Sequence, residues 1–266
     1  MEINNIQLKI LKTDNDVNLD MALDMLSVII KNNEAGKRTV FIVPVGPTKQ
    51  YPMLAAMVNK LNISLKNTWF FNMDEYLIAP DQAIDPNHFL SFKRRMNDEF
   101  YSQVRSDLVM PESQRLFPEP GKEKAFDDLL ESLGGADVCY GGVGINGHIA
   151  FNESAQANDP ITAEEFSNLP SRVLPISTET IAINGAAYLR GDIAAMPRWC
   201  ITTGMKQILS AKRIYLSLGA AWHPGILKRV LFEKPQPQIP ATLLKNHGNV
   251  LFCTNEEIVK DIGLPE

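Results

Sequence analysis

The chain has 266 residues, of which 45% are hydrophobic, and its formal net charge is −5. This length and apolar content suffice for one domain with a full hydrophobic core. The acidic balance argues against nucleic-acid binding, and the densest basic cluster, residues 93–95, is expected on the polar face of a helix. No apolar run approaches the ~20 residues of a membrane span. The N-terminal residues lack a signal-peptide pattern, so we expect a cytoplasmic protein without a membrane partner.

Strand and helix patterns alternate along most of the chain. Ile6, Leu8 and Ile10 alternate with polar residues and predict a half-buried strand. A helix follows, whose apolar face carries Leu19, Leu23, Leu26 and Ile30. Further strands are predicted at residues 40–43, 68–71, 136–140, 199–202, 214–218 and 250–253, and further helices at 51–61, 89–104, 122–133, 205–209 and 226–232. Residues 161–197 have the least regular pattern.

This alternation predicts the fold class. Strands that alternate with helices form a mostly parallel sheet with helices on both faces, so we expect a three-layer, Rossmann-like α/β fold. No repeat, low-complexity tract or linker interrupts the sequence, which favours a single domain over residues 1–266. In such a fold, ligands bind at the carboxyl ends of the strands.

The three cysteines indicate neither a disulfide framework nor a metal centre. Cys139, Cys200 and Cys253 lie far apart in apolar, strand-like runs, and their spacing fits no zinc pattern. An odd number of widely separated thiols is typical of buried, reduced side chains. We therefore expect no metal site.

A glycine-rich segment follows the strand predicted at residues 136–140. Four glycines within residues 141–147 give a turn whose backbone can approach a ligand closely. His148 follows this turn at once, and Glu153 comes five residues later. An imidazole and a carboxylate at the carboxyl end of a strand are typical of a catalytic site.

An acidic pair, Asp74 and Glu75, directly follows the strand predicted at residues 68–71. Asp74 in this place has two explanations. It caps the following helix or stabilises a turn, or it faces a ligand at the carboxyl end of the strand. Taken alone, so short a motif favours the structural role.

Together, the two segments resemble the signature motifs of the glucosamine-6-phosphate deaminase family and, more distantly, the 6-phosphogluconolactonases. The first segment runs from Phe70 to Tyr76 and the second from Gly141 to Glu153. The resemblance implies ring opening of a sugar, proton transfer between C2 and C1, and loss of ammonia from an amino sugar phosphate or related sugar. It implies no cofactor, and the partner that it implies is a small-molecule sugar or sugar phosphate. Homo-oligomerisation is possible.

The resemblance also implies roles for individual residues. Asp74 matches the base that moves the C2 proton, a task that suits a carboxylate because it can return the proton to the neighbouring carbon. His148 matches the residue that opens the pyranose ring, and Glu153 matches the acid that orients it. The alternatives are a structural histidine in a turn and, for Glu153, an ordinary acid in the first turn of a helix.

Asn146 departs from the family pattern, which has an Asp two residues before the His. An amide cannot take up a proton or hold a negative charge, so a carboxylate–His–carboxylate arrangement becomes amide–His–carboxylate. We expect ring opening to be slowed or done differently, whereas the step at Asp74 can survive.

The phosphate site departs further. In the family, the loop matching Pro44–Lys49 cradles the sugar phosphate, and here Pro47 removes one N–H donor. An ungapped alignment places Ala186 and Trp222 where the family has two phosphate-binding cations. Charge-assisted hydrogen bonds contribute ~1.5–3 kcal/mol each, so the two losses cost roughly 3–6 kcal/mol. We therefore expect weak binding of glucosamine 6-phosphate.

Two explanations of this loss remain open. Either Lys49, Arg190 or Lys228 supplies the charge from a new position, or the ligand has no 6-phosphate and Trp222 offers a face on which a sugar stacks. A core role for Trp222 is a third alternative. The candidate catalytic residues are thus Asp74, Asn146, His148 and Glu153, and the candidate substrate-binding residues are Gly46, Thr48, Lys49, Gly142, Gly144 and Trp222.

Two rival functions remain. A lactonase-like hydrolase needs the His to activate water but needs no C2 base, and the complete segment from Asn72 to Tyr76 disfavours it. A catalytically impaired, sugar-binding relative is favoured by Asn146, Pro47 and Trp222. Ammonia release from glucosamine 6-phosphate separates the deaminase from both.

Overall fold

The computed structural model describes residues 1–260 and 262–264. The strands in these ranges are β1 Glu2–Ile3, β2 Ile6–Leu11, β3 Thr39–Val43, β4 Thr68–Asn72, β5 Asp74–Ala79, β6 Gln82–Ala83, β7 Arg115–Leu116, β8 Val138–Gly141, β9 Arg172–Pro175, β10 Trp199–Thr202, β11 Ile214–Leu218 and β12 Val250–Asn255. The helices are α1 Asp14–Glu34, α2 Gln50–Leu61, α3 Phe92–Met96, α4 Glu123–Ser132, α5 Ala163–Ser167, α6 Thr178–Tyr188, α7 Met205–Leu209, α8 His223–Phe232 and α9 Glu256–Val259.

The main sheet has eight strands in the order β1-β2-β12-β11-β8-β3-β4-β7. All neighbours pair in parallel except β1 and β2, which are antiparallel. Successive residues of β3 face opposite sides, so that Phe41 packs with α1 and α2 while Ile42 packs with α4 and α8. The predicted three-layer α/β fold with a mostly parallel sheet is therefore confirmed.

A second, antiparallel sheet was not predicted. Its strands lie in the order β6-β5-β10-β9. The segment 199–202 is a strand as expected, but it pairs with β5, and Thr202 lies opposite Asp74. Four-residue apolar runs do not reveal which sheet they join, because the pairing partner is distant in sequence.

Several local predictions need correction. In α1, Leu19 and Leu23 are 37% and 47% exposed, and the core face instead carries Val17, Met21 and Met25. Apolar residues occur on both sides of this helix, so the sequence pattern alone does not show which side faces the core. The helix predicted over 89–104 is the short α3, continued by a π-helix at Asn97–Tyr101. The irregular segment 161–197 contains α5, β9 and α6.

The main sheet brings four chain segments to one edge. Loops at the carboxyl ends of β3, β4, β8 and β11 meet there, as expected for an open parallel sheet. The three cysteines are buried and free, as predicted. Within residues 1–260 and 262–264, no helix combines the length and apolar character needed to cross a bilayer.

Candidate active site

A cavity of about 430 Å³ lies at the carboxyl ends of β3, β4, β8 and β11 and is covered by α6. Its volume falls within the range of small-molecule sites. The predicted site residues that line it are Gly46, Thr48, Lys49, Asp74, Gly142, Gly144, His148 and Trp222. Asn146 and Glu153 lie behind His148 and hold it by hydrogen bonds. Arg190, Lys228 and Ala186 are exposed and lie outside the cavity lining.

Asp74 is a buried carboxyl that faces the cavity. The residue is only 6% exposed, and its carboxyl accepts no hydrogen bond from the residues that the structure describes. Burial, and then the neighbouring charge of Glu75, raise the pKa of Asp74 well above its usual value. Asp74 is the first residue of β5, so the alternative of a helix cap is wrong. Its carboxyl is free to exchange a proton with a ligand.

Glu75 has the opposite surroundings. Its carboxylate accepts hydrogen bonds from the backbone N–H groups of Tyr76 at 2.9 Å, Phe92 at 2.9 Å and Lys93 at 3.0 Å, and from the Ser91 hydroxyl at 2.9 Å. Burial raises the pKa of Glu75, and these hydrogen bonds oppose the rise. Glu75 therefore ties β5 to the start of α3, and the two adjacent acids have different roles.

His148 is fixed through one ring nitrogen. Its Nδ1 lies 2.8 Å from the Asn146 side-chain oxygen and 3.2 Å from a Glu153 carboxylate oxygen. Because both oxygens are acceptors, this network assigns the proton to Nδ1 and leaves Nε2 as a proton acceptor. A Cβ on Gly144 would lie 2.0 Å from Nε2. Glycine at position 144 is therefore what allows the ring to sit where it does.

Asn146 and Glu153 form one hydrogen-bonded unit. The Asn146 amide nitrogen donates to Glu153 at 2.8 Å, and the same amide accepts from His148. Burial alone would raise the pKa of Glu153, but hydrogen bonds and the charge of His148, with Asn146 and Thr180, lower it to about 2. Residues 148–153 lie outside any helix, in a bend and turn followed by irregular structure, so the alternative of a first-turn helix acid is wrong.

Helix α6 closes one side of the site, which sequence analysis missed. Thr180 Oγ1 lies 3.3 Å from His148 Nδ1, and the Asn184 amide donates to the Tyr76 hydroxyl at 3.0 Å. The Ser177 hydroxyl caps the helix by accepting from Thr180. That Ser-x-x-Thr spacing was the available signal, and glycines and prolines in the surrounding segment obscured it.

The loop after β3 packs closely on the glycine-rich turn. A Cβ on Gly142 would lie 3.1 Å from the Pro47 ring. Among the described residues, the backbone N–H groups of Gly46, Thr48 and Lys49 have no hydrogen-bond acceptor. The Lys49 ammonium pairs with Asp14 at 2.7 Å in an exposed ion pair. The loop thus presents unused N–H donors beside a cation that is already neutralised.

Trp222 has the core role that was one of its predicted alternatives, and it also borders the cavity. Its half-buried ring packs against the apolar core below the main sheet and also lines the cavity. Its indole N–H is buried and has no acceptor among the described residues. The next residue, His223, joins two loops by accepting from Ala220 and donating to Val143, each at 2.8 Å. Burial lowers the pKa of His223 to about 4, which keeps it neutral.

Arg95 is the lining residue that sequence analysis missed most clearly. The basic cluster 93–95 was expected on a polar helix face, and Arg94 does lie on the surface and pairs with Asp98. Arg95 turns inward to line the cavity, and its side chain is only 19% exposed. Its guanidinium carbon lies 4.7 Å from the ring centre of Tyr188. No sequence signal separates it from Arg94, because α3 is too short to define a face.

The contrast between the two adjacent acids gives a stability prediction. Glu75→Gln should lower the free energy of unfolding by roughly 2–4 kcal/mol, because four hydrogen bonds to a charged acceptor are weakened. Asp74→Asn should change it by less than ~1 kcal/mol, because no hydrogen bond is lost and a buried charge is removed. Urea unfolding of both variants measures this. Equal losses would contradict the assigned roles.

The low pKa of Glu153 gives a pH prediction. A carboxyl whose folded pKa is about 2, against about 4.3 when unfolded, stabilises the fold above pH ~4.3 and loses that contribution as pH falls toward 2. Between these limits, the wild type should lose on the order of 3 kcal/mol more unfolding free energy than Glu153→Gln. Urea titrations at pH 5, 4 and 3 compare the slopes. Parallel slopes would argue against the ionised Glu153.

Comparisons with known proteins agree with this geometry. No protein-family model matches the chain. The glucosamine-6-phosphate deaminase of Staphylococcus aureus (strain MRSA252) is 27% identical over 221 residues, 81% of each chain. That of Rhodopirellula baltica is 29% identical over 211 residues, covering 79% of this chain and 78% of its own.

Solved structures show the same fold. A monomeric glucosamine-6-phosphate deaminase superimposes with a TM-score of 0.80 at 23% identity, over 95% of this chain and 98% of its own. The 6-phosphogluconolactonase from Trypanosoma cruzi gives a TM-score of 0.69 at 15% identity, over 97% of both chains. The resemblance predicted from the two motifs is confirmed: the chain is similar in sequence and in fold to glucosamine-6-phosphate deaminases.

Proposed function

We propose that this chain isomerises a 2-amino aldose, as glucosamine 6-phosphate or a related sugar, to the ketose and releases ammonia. The observation that carries the proposal is Asp74, a buried carboxyl with a raised pKa that faces the cavity and accepts no hydrogen bond from the described residues. Such a group suits proton transfer at a carbon atom, because a carboxylate whose pKa is raised is a stronger base. The curated relatives support the same reaction.

Ring opening is the task of His148. Opening breaks the C1–O5 bond and moves one proton from the C1 hydroxyl to the ring oxygen. The Nε2 atom accepts the first proton and returns one to O5, while Nδ1 stays bound to Asn146 and Glu153. The ionised Glu153 stabilises the protonated imidazole that forms in between.

Proton transfer between carbons is the task of Asp74. Its carboxylate takes the proton from C2 of the open aldehyde, which leaves an enediol-like intermediate with nitrogen on C2. The same carboxyl then delivers the proton to C1, while one proton of the amino group passes to the C1 oxygen, which becomes a hydroxyl and leaves an imine at C2. Water adds to this imine, ammonia leaves, and C2 becomes the ketone carbonyl. The sum is an amino aldose and water giving a ketose and ammonia.

The Asn146 amide can serve in this site in place of the acid that the family has at the same position. It accepts from His148 and donates to Glu153, so every polar group in the unit is satisfied. One negative charge, instead of two, then stands behind the imidazole. We expect slower ring opening than in relatives with an Asp here, because protonated His148 is stabilised less.

The two rival functions make different demands on Asp74. Lactone hydrolysis has no carbon acid to deprotonate, so it gives the unpartnered carboxyl no task. A binding protein would retain a buried carboxyl without a partner at a cost in stability. Both rivals are tested by incubating the protein with glucosamine 6-phosphate, glucosamine and 6-phosphogluconolactone. We expect ammonia and ketose in equal amounts from an amino sugar, and lactone hydrolysis or mere binding would contradict the proposal.

Asp74 provides the sharpest mutational test. Asp74→Asn should reduce kcat by at least ~10²–10⁴-fold, the range for loss of general acid–base catalysis, with little change in sugar affinity. Asp98→Asn, on the exposed surface, is the control and should keep wild-type activity. Ammonia release measured by a coupled assay reports the rate. Near-full activity of Asp74→Asn on the true substrate would end the assignment.

A further inference from the structure

Arg95 has a mostly buried side chain whose guanidinium lacks a hydrogen-bond acceptor among the described residues. Its side chain is 19% exposed, and none of its five N–H donors reaches an acceptor within the described part of the chain. The nearest carboxylate oxygen, on Glu99, lies 3.9 Å from Nε, which is too far for a hydrogen bond. The guanidinium borders the cavity, so its unused N–H donors are open to a ligand there. The missing acceptor is therefore to be sought in a ligand.

The neighbour on the same helix, Arg94, differs from Arg95 in this respect. The Arg94 side chain is 47% exposed, lies 3.4 Å from Asp98, and donates to the backbone oxygen of Asn87 at 2.6 Å. Two consecutive arginines of one helix thus differ, because one has protein acceptors and the other faces the cavity.

The Arg95 guanidinium lies over the ring of Tyr188. The guanidinium carbon lies 4.7 Å from the ring centre, a cation–π distance. A guanidinium held by its face keeps its N–H groups free around its edge, where they can bind two oxygens of one anion. Tyr188 comes from α6, the helix that covers the cavity.

Tyr188 also places this cation near the loop after β3. Its hydroxyl lies 4.0 Å from where a Cβ on Gly46 would be. The free N–H groups of Gly46, Thr48 and Lys49 are thus on the same side of the cavity as the Arg95–Tyr188 pair. Asp14 pairs with the Lys49 ammonium. Among the described residues that line the cavity, Arg95 is therefore the cation that has no ion pair shorter than 3.5 Å.

We propose that Arg95 binds the anionic terminal group of the sugar, a phosphate monoester or a carboxylate. It thereby supplies the positive charge that the chain lacks at Ala186 and Trp222. This source of charge differs from the three that the sequence suggested, which were Lys49, Arg190 and Lys228. The proposal rests on the proposed function in so far as the ligand is a sugar. The preference of the protein for an anionic sugar then depends on the Arg95 guanidinium. Proton transfer by Asp74 does not depend on that guanidinium.

The test is calorimetric binding of three ligands without a reactive carbonyl: glucitol, glucitol 6-phosphate and gluconate. The wild type should bind at least one of the two anions more tightly than glucitol. Arg95→Met should lower that affinity roughly 10- to 100-fold, and Arg95→Lys should lower it less, because the charge remains. Glucitol binding should stay within about threefold in both variants. The anion that loses affinity identifies the group as phosphate or carboxylate.

The matched control is Arg94→Met, which removes one positive charge from the same helix and should leave all three affinities unchanged. Thermal unfolding checks that each variant is folded. If Arg95→Met is not folded, Tyr188→Leu replaces it, since that side chain is 39% exposed. Loss of the stacked ring should weaken anion binding severalfold. Unchanged anion affinity in the folded Arg95 or Tyr188 variant, or a wild type that prefers neither anion, would overturn the proposal.

Because these ligands do not react, binding and turnover fail separately. Anion binding through Arg95 without ammonia release would reject the proposed function and support the role of Arg95. Ammonia release from an unphosphorylated amino sugar, with no anion preference, would reject the role of Arg95 and support the function.

Discussion

The site depends on how three buried carboxyls are partnered. Glu75 accepts four hydrogen bonds and fixes β5 to α3, and Glu153 is held ionised by His148 and Asn146. Asp74 accepts none within the described residues, although it is as deeply buried as the others. Burial without partners raises the pKa of a carboxyl, and partners lower it again. This difference in surroundings separates Asp74, the proposed proton carrier, from two acids that position other groups.

The position of Asp74 follows from a change of sheet. Strand β4 ends at Asn72 in the parallel sheet, and β5 begins at Asp74 in the antiparallel one. The residue between them, Met73, accepts from Thr203 and donates to Val43, so both sheets hold the crossing point. The carboxyl is thereby fixed by backbone hydrogen bonds on both sides while its side chain remains free. Such pre-positioning on strands is what proton transfer at carbon requires.

Much of this organisation could be predicted from the sequence because it is local. Period-two and helical patterns gave the parallel sheet, and two continuous segments contained Asp74, His148 and Glu153. The antiparallel sheet and the cover of α6 could not be predicted, since they depend on pairings between segments far apart in the chain. Arg95 was missed for the same reason: its inward direction depends on the position of Tyr188, and nothing in residues 93–95 distinguishes it.

The charges lining the cavity have a consequence for ligand choice. Asp14 pairs with Lys49, His223 is neutral, and Arg95 is left without an acceptor among the described residues. Arg95, on α3, thus offsets part of the loss of phosphate affinity that is expected at Ala186 and Trp222. The Trp222 indole N–H is also without an acceptor in these residues, and the Trp222 side chain lines the same cavity. A ligand with an acidic end and several hydroxyl groups fits this set of donors.

The most direct test of the account follows the hydrogen on C2. Glucosamine 6-phosphate and glucosamine, each deuterated at C2, are incubated with the wild type and with Asp74→Asn, and the label is followed by NMR. If Asp74 carries the proton, deuterium leaves C2 in the wild type and appears at C1 of the ketose or in the solvent, and it stays at C2 in the variant. Deuterium that remains at C2 of both sugars in the wild type, or that leaves equally fast in Asp74→Asn, would contradict the account.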